Sequence, residues 1–127
     1  MSNVPKELRY NDNVWVRDDG NGKYTVGYTD YSQAQLGSLV HVELPAVAAA
    51  ITAGEPCASV EAVPVPGDVY GPMSGEVTAV NDNLAGDPEL IRTDPYGAGW
   101  MFRMKSTDAG QFNGLMDAAE YAAATSE

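Results

Sequence analysis

The sequence predicts a mostly-β fold with short helices and a C-terminal helix, and three observations carry that expectation. Short runs of β-branched, aromatic or alternating residues recur along the chain, while eight prolines and thirteen glycines punctuate them. A sustained helical period of apolar residues emerges only after the last of these runs. At 127 residues and 44% hydrophobic content, the chain suits one domain spanning 1–127 with a sizeable buried core. Composition alone leaves a sandwich and a barrel equally open.

Taken in order, Val14-Trp15-Val16 and Tyr24-Thr25-Val26-Gly27 flank the turn-rich Asp18-Asp19-Gly20-Asn21-Gly22, which predicts a β-hairpin. Thr29-Asp30 is placed to cap a short helix running to Leu36, with Gly37 as its stop. Leu39 to Leu44 reads as a strand ended by Pro45, and Cys57 to Val63 as the next, entered through a turn at Gly54. Met73 to Asn81 alternates apolar and polar residues, with a turn at Asn81-Asp82-Asn83. Asp87 and Pro88 suit the cap and first turn of another short helix, and Gly99 to Lys105 a last strand. From Ser106 onward Phe112, Leu115, Met116 and Ala119 fall at spacings that predict one helix packed by a single face. Gly54-Glu55-Pro56 and Gly71-Pro72-Met73 form a weak internal echo.

Seven basic against eighteen acidic residues give a formal net charge of −11. That sign repels nucleic acid and anionic membrane, and no apolar run reaches the roughly 20 residues that span a bilayer. The opening Met1-Ser2-Asn3-Val4-Pro5-Lys6-Glu7 has neither a signal-peptide nor a transit-peptide pattern, so a cytoplasmic monomer is expected. A single cysteine, Cys57, excludes an internal disulfide and suits a small core residue. His41, the sole histidine, reads as half-buried packing, and it has no second histidine with which to share a metal.

The segment Val60-Glu61-Ala62-Val63-Pro64-Val65-Pro66-Gly67-Asp68-Val69-Tyr70-Gly71-Pro72-Met73-Ser74-Gly75-Glu76-Val77 resembles the central hairpin of the glycine cleavage H proteins. Further pieces match in order: Tyr24 to Gly27 with Thr29-Asp30, Val42 to Pro45, Pro88 to Ile91, Asp94 to Gly97, Gly99-Trp100 and Glu120-Tyr121. The resemblance implies a barrel-sandwich hybrid of the lipoyl and biotinyl type. It also implies a carrier rather than a catalyst: a lysine after the Glu-x-Val triplet bears lipoic acid on its amine. That arm moves a methylamine group from glycine decarboxylase to an aminomethyltransferase, and lipoamide dehydrogenase reoxidises it.

In this chain the lysine position is Pro64, which has neither a side-chain amine nor a backbone N–H. No lipoate, metal or other cofactor is therefore expected, and no catalytic residue. The family's glutamate that holds the loaded amine corresponds to Val14, and a histidine of the short helix corresponds to Tyr31. The flanking acids Glu61 and Asp68 are retained, and Val63 and Val65 border the turn. The expected role is a non-lipoylated interaction, decoy or regulatory module, with glycine decarboxylase, aminomethyltransferase, lipoamide dehydrogenase or a lipoate ligase as partners. Two alternatives stand beside it: an H protein proper, with atypical attachment or as an inactivated variant, and a small-molecule binder reusing a groove between Val14, Tyr31 and Asp68. Tyr28, Tyr70, Trp15 and Trp100 are further candidates to line such a groove, or else ordinary core and surface aromatics.

Overall fold

A computed structural model describes residues 3–125. Its strands are β1 (Arg9–Asn11), β2 (Val14–Gly20), β3 (Lys23–Tyr28), β4 (Ser38–Glu43), β5 (Ala50–Ile51), β6 (Pro56–Val63), β7 (Gly67–Tyr70), β8 (Gly75–Val80) and β9 (Trp100–Lys105). Five short helices punctuate them: α1 (Asp30–Gln33), α2 (Asn83–Gly86), α3 (Leu90–Thr93), α4 (Ala109–Asn113) and α5 (Ala118–Ala124). A six-stranded sheet in the order β1-β2-β3-β9-β8-β5 packs against a three-stranded sheet, β4-β6-β7. This is the mostly-β barrel-sandwich arrangement that the resemblance implies, with helices added at its end.

The expected first hairpin forms where its turn chemistry dictates. Gly20, Asn21 and Gly22 all adopt positive φ between β2 and β3, a region open to glycine and tolerated by asparagine. Between the sheets Val16, Val26, Phe102, Met104 and Val77 of the larger sheet meet Val42, Val60 and Val69 of the smaller one. The larger sheet is also covered on its outer face, where Leu8, Tyr10, Trp15 and Tyr121 form a second cluster. The rings of Tyr10 and Tyr121 stack there at 4.7 Å. Both faces being buried explains why Val14, Trp15 and Val16 are consecutively inaccessible. The echo of Gly54 and Gly71 acquires a structural meaning: the two segments exchange hydrogen bonds, Gly54 N–H to the Gly71 carbonyl and Gly71 N–H to the Glu55 carbonyl, each at 2.8 Å.

Several expectations need correction. The helix capped by Thr29 ends at Gln33, so Gly37 is not its stop. Asp87 closes α2 rather than capping α3 with its side chain, and the Pro88-Glu89 turn precedes Leu90. The single C-terminal helix is two helices. Asp108 caps α4, and the chain then pairs Met116 with Tyr10 in an isolated bridge. Asp117 opens α5 through a capping box with Glu120. Ala119 is exposed, and Tyr121 is the residue that α5 buries. Strands β1 and β5 and helix α2 were not anticipated.

Candidate functional site

Alternation along β6 and β7 builds the hairpin that carries Pro64. Ala58, Val60 and Ala62 point into the core with Val69 of β7, which leaves Glu61, Val63, Asp68 and Tyr70 facing outward. Val63 and Val65 are 62% and 47% exposed, a large apolar presentation for two neighbouring residues. Pro64 and Pro66, both exposed, lack the N–H that a partner strand would need, so the tip ends the ladder. The Val63–Pro64 peptide bond is cis.

Gly37 supports this tip. Its N–H donates to the Val65 carbonyl at 2.9 Å, and its α-carbon lies so close that a methyl group there would strike the Val63 carbonyl group and the Pro64 nitrogen. The Gly37 segment is itself held by Arg92 of α3. One guanidinium nitrogen donates to the carbonyls of Gln33, Leu36 and Gly37 at 3.2, 3.2 and 3.1 Å, while Nε donates to the Gln33 side-chain oxygen at 3.0 Å. Behind the tip Gly67 packs against the Tyr28 hydroxyl and Leu36. Burial, reinforced by the nearby Asp68 charge, pushes the Tyr28 phenol up to about 12, so it stays neutral. The sequence marks Gly37 only as a helix stop and does not mark Arg92 at all. Both act through backbone carbonyls, which no residue pattern displays.

The expected site residues separate into two groups. Glu61, Val63, Pro64, Val65 and Asp68 share the exposed hairpin, with Glu61 opposite His41 and Asp68 opposite Ser59 across the smaller sheet. Val14 is buried in the main core at 1% exposure, and with Asp12, Asn13, Asp68 and Tyr70 it lines a hollow too tight to admit even a water molecule. Asn13 bridges the elements that Val14 was expected to join. Its amide donates to the Asp68 carbonyl at 3.2 Å, and its oxygen accepts from the Ser32 hydroxyl at 2.9 Å. Tyr31 lines a cleft of about 390 Å³ with Asp12, Asn13, Tyr70, Tyr121 and Thr125, alongside rather than at the tip. Of the other aromatics, Tyr28 and Trp15 are core, and Trp100 lies half-buried under the Arg103 guanidinium.

His41 is exposed rather than half-buried, with Nε2 3.4 Å from a Glu43 carboxylate oxygen. The irregularity in register between Leu39 and His41 turns Val40 and His41 both outward. Among the described residues no group of three or more His, Cys, Asp or Glu is placed to hold a metal ion. Cys57 packs half-buried beside the core, and burial pushes its thiol up to about 11, which keeps it protonated.

The tip does not fit a cofactor held by an amide to lysine. No lysine lies anywhere from β6 through β8, and the chain's three are Lys6, Lys23 and Lys105. Lys23 and Lys105 face each other across β3 and β9 on the other sheet, with Lys105 Nζ 3.0 Å from Glu76. No helix of the described residues is long and apolar enough to cross a membrane.

With this geometry in place, comparisons with known proteins agree with one another. A family model described as glycine cleavage H-protein matches residues 7–127. The chain is 48% identical to the glycine cleavage system H protein of Sodalis glossinidius over 100% of this chain and 98% of the relative. It is 46% identical to that of Escherichia coli O9:H4 over 97% of this chain and 96% of the relative. A crystal structure of a glycine cleavage system H protein from Mycobacterium marinum superposes with a TM-score of 0.87 at 35% identity, covering 98% of this chain and all of the other.

Proposed function

The chain belongs to the family of glycine cleavage H proteins, and from that premise we propose that it is a member working without a lipoyl arm. Proteins of this family carry lipoate on a lysine and have no catalytic activity of their own. In our reading Pro64 stands in that lysine's place, and residues 1–127 act as one cytoplasmic unit that binds the family's partners without carrying their cargo. Those partners are glycine decarboxylase, aminomethyltransferase, lipoamide dehydrogenase or a lipoate ligase. The observation that carries the reading is the tip itself. Val63, Pro64, Val65 and Pro66 form an exposed apolar knuckle that offers no amine, flanked by Glu61 and Asp68 and braced from behind by Gly37.

Each part has a physical task. The two valines supply apolar area to a partner, the prolines hold the turn with little entropy left to lose, and the flanking acids orient approach toward a basic rim. Titrating the purified chain into each of the four proteins tests this. Saturable binding is expected to at least one, weakened at least about tenfold when Val63 and Val65 are both changed to serine. Absence of binding to all four would overturn the reading.

A second reading, an H protein proper that loads its arm at another lysine, draws on the near-complete coverage of relatives bearing that name. It requires a mass increment of one lipoyl group on Lys6, Lys23 or Lys105.

A further inference from the structure

Four of the chain's seven cationic side chains lie together on the outer face of β2, β3 and β9, in a molecule whose net charge is −11. Arg17, Thr25 and Arg103 form one row across the three strands, and Lys23 and Lys105 are directly opposed in the next. Like charges directly opposed across strands destabilise a sheet, yet Lys23 and Lys105 face each other here, beside a row in which Arg17 and Arg103 flank Thr25. Among the described residues their ion pairs are with Asp19, 2.8 Å from Arg17 Nε, and Glu76, 3.0 Å from Lys105 Nζ.

The two guanidinium groups are also held in place. The buried Thr25 hydroxyl oxygen accepts from Arg17 Nη2 and from Arg103 Nε, each at 3.3 Å, and donates at 2.5 Å to the carboxylate of Asp19. The Arg103 guanidinium carbon sits 4.3 Å from the Trp100 ring centroid, a stacking contact that fixes its plane. Burial alone would raise the Asp19 carboxyl, but the Thr25 hydroxyl and the Arg17 guanidinium outweigh it and hold it below the usual carboxylate range. Side chains fixed before binding lose less entropy when they engage a ligand. By contrast, Arg9 and Arg92 are spent on backbone carbonyls of their own chain.

From this geometry we propose that the outer face of β2, β3 and β9 is a second docking surface, and that its occupant is an acidic segment of a partner protein. Size and charge choose that occupant. The Arg17–Arg103 row spans two strand spacings, about 10 Å, and Arg103 to Lys105 about 7 Å along the strand, which suits two or three carboxylates on one short segment. A hollow of about 500 Å³ lined by Ser74, Lys105, Ser106 and Thr107, with Glu76 held by Lys105, continues the surface at the barrel end, where a segment running off the basic row would lie. Duplex nucleic acid carries a charge about every 1.7 Å and would meet the acidic remainder of the chain as well, so its repulsion grows with length. The face lies on the sheet opposite the Pro64 hairpin and does not depend on how that hairpin is read.

The test is an amide-resolved NMR titration of the full chain with an N-acetylated hexaglutamate peptide. Free glutamate and inorganic phosphate serve as parallel arms. Saturable shifts confined to residues around Arg17, Lys23, Thr25, Arg103 and Lys105 are expected, with binding about tenfold weaker in a Lys23→Gln, Lys105→Gln chain. That double variant leaves the Thr25 network untouched, so folding is preserved, and Arg103→Gln should weaken binding further. No shift, shifts scattered over the surface, or equal response in the variants would overturn the proposal. So would free glutamate or phosphate producing the same response at equal anion concentration, which would mean adventitious anion attraction only.

Discussion

Replacing Gly37 with alanine should loosen the Pro64 hairpin, and the structure sets the size of the effect. The added methyl carbon would lie 2.7 Å from the Pro64 nitrogen and closer still to the Val63 carbonyl group, whereas carbon contacts settle at about 3.5 Å. These are backbone atoms, so relief requires the tip or the Gly37 segment to move by on the order of 1 Å. Overpacking of that kind costs about 1–3 kcal/mol, and the restricted unfolded chain returns about 0.4–1 kcal/mol of it. The net loss should lower the melting temperature by roughly 3–8 °C for a chain of this length. Gly86→Ala is the control, since a methyl group there meets nothing within 4 Å. Thermal melts of both variants, with amide shifts of Val63 and Val65, decide the matter. If Gly37→Ala melts with Gly86→Ala and leaves those two amides unmoved, Gly37 does not brace the tip.

Two further outcomes follow from the same packing. Arg92→Met should strand the carbonyls of Gln33, Leu36 and Gly37 and cost about 1–3 kcal/mol, with faster hydrogen exchange at Gly37 than elsewhere in the core. Uniform exchange across the chain would contradict that placement of the loss. At alkaline pH, burial raises the Tyr28 and Tyr96 phenols to about 12, against about 10 in the unfolded chain. Because the folded state favours the neutral phenol, this stability is whole below about pH 10 and is lost as pH climbs toward 12. Phenolate absorbance of folded and denatured chain should therefore separate across that window, and coincident curves would refute the burial argument.

The parts of the fold legible in sequence were those governed by local rules. Gly20-Asn21-Gly22 announces positive φ and hence the β2–β3 hairpin, and alternation through Val60, Ala62 and Val69 assigns the inward face of β6 and β7. What escaped depended on distant partners. The apolar spacing of Phe112, Leu115 and Met116 suits one helix, but Met116 pairs with Tyr10 instead, and the Asp117–Glu120 capping box restarts the helix on a new axis. Strand β1 exists through β2 on one side and that bridge on the other. At the site, the hairpin acids and valines were foreseeable by position. The burial of Val14 was not, because a sheet covered on both faces buries consecutive residues and hides which of them faces the core. The tasks of Asn13, Gly37 and Arg92 were not legible because they are done on main-chain atoms remote in sequence.

The measurement that bears most directly on the unarmed carrier is the intact mass of the chain after co-expression with a lipoate ligase and lipoate, beside a Pro64→Lys variant treated alike. The chain as it stands should keep its unmodified mass, and the variant should gain one lipoyl increment. A lipoyl increment on the unaltered chain would contradict the reading of an unarmed carrier.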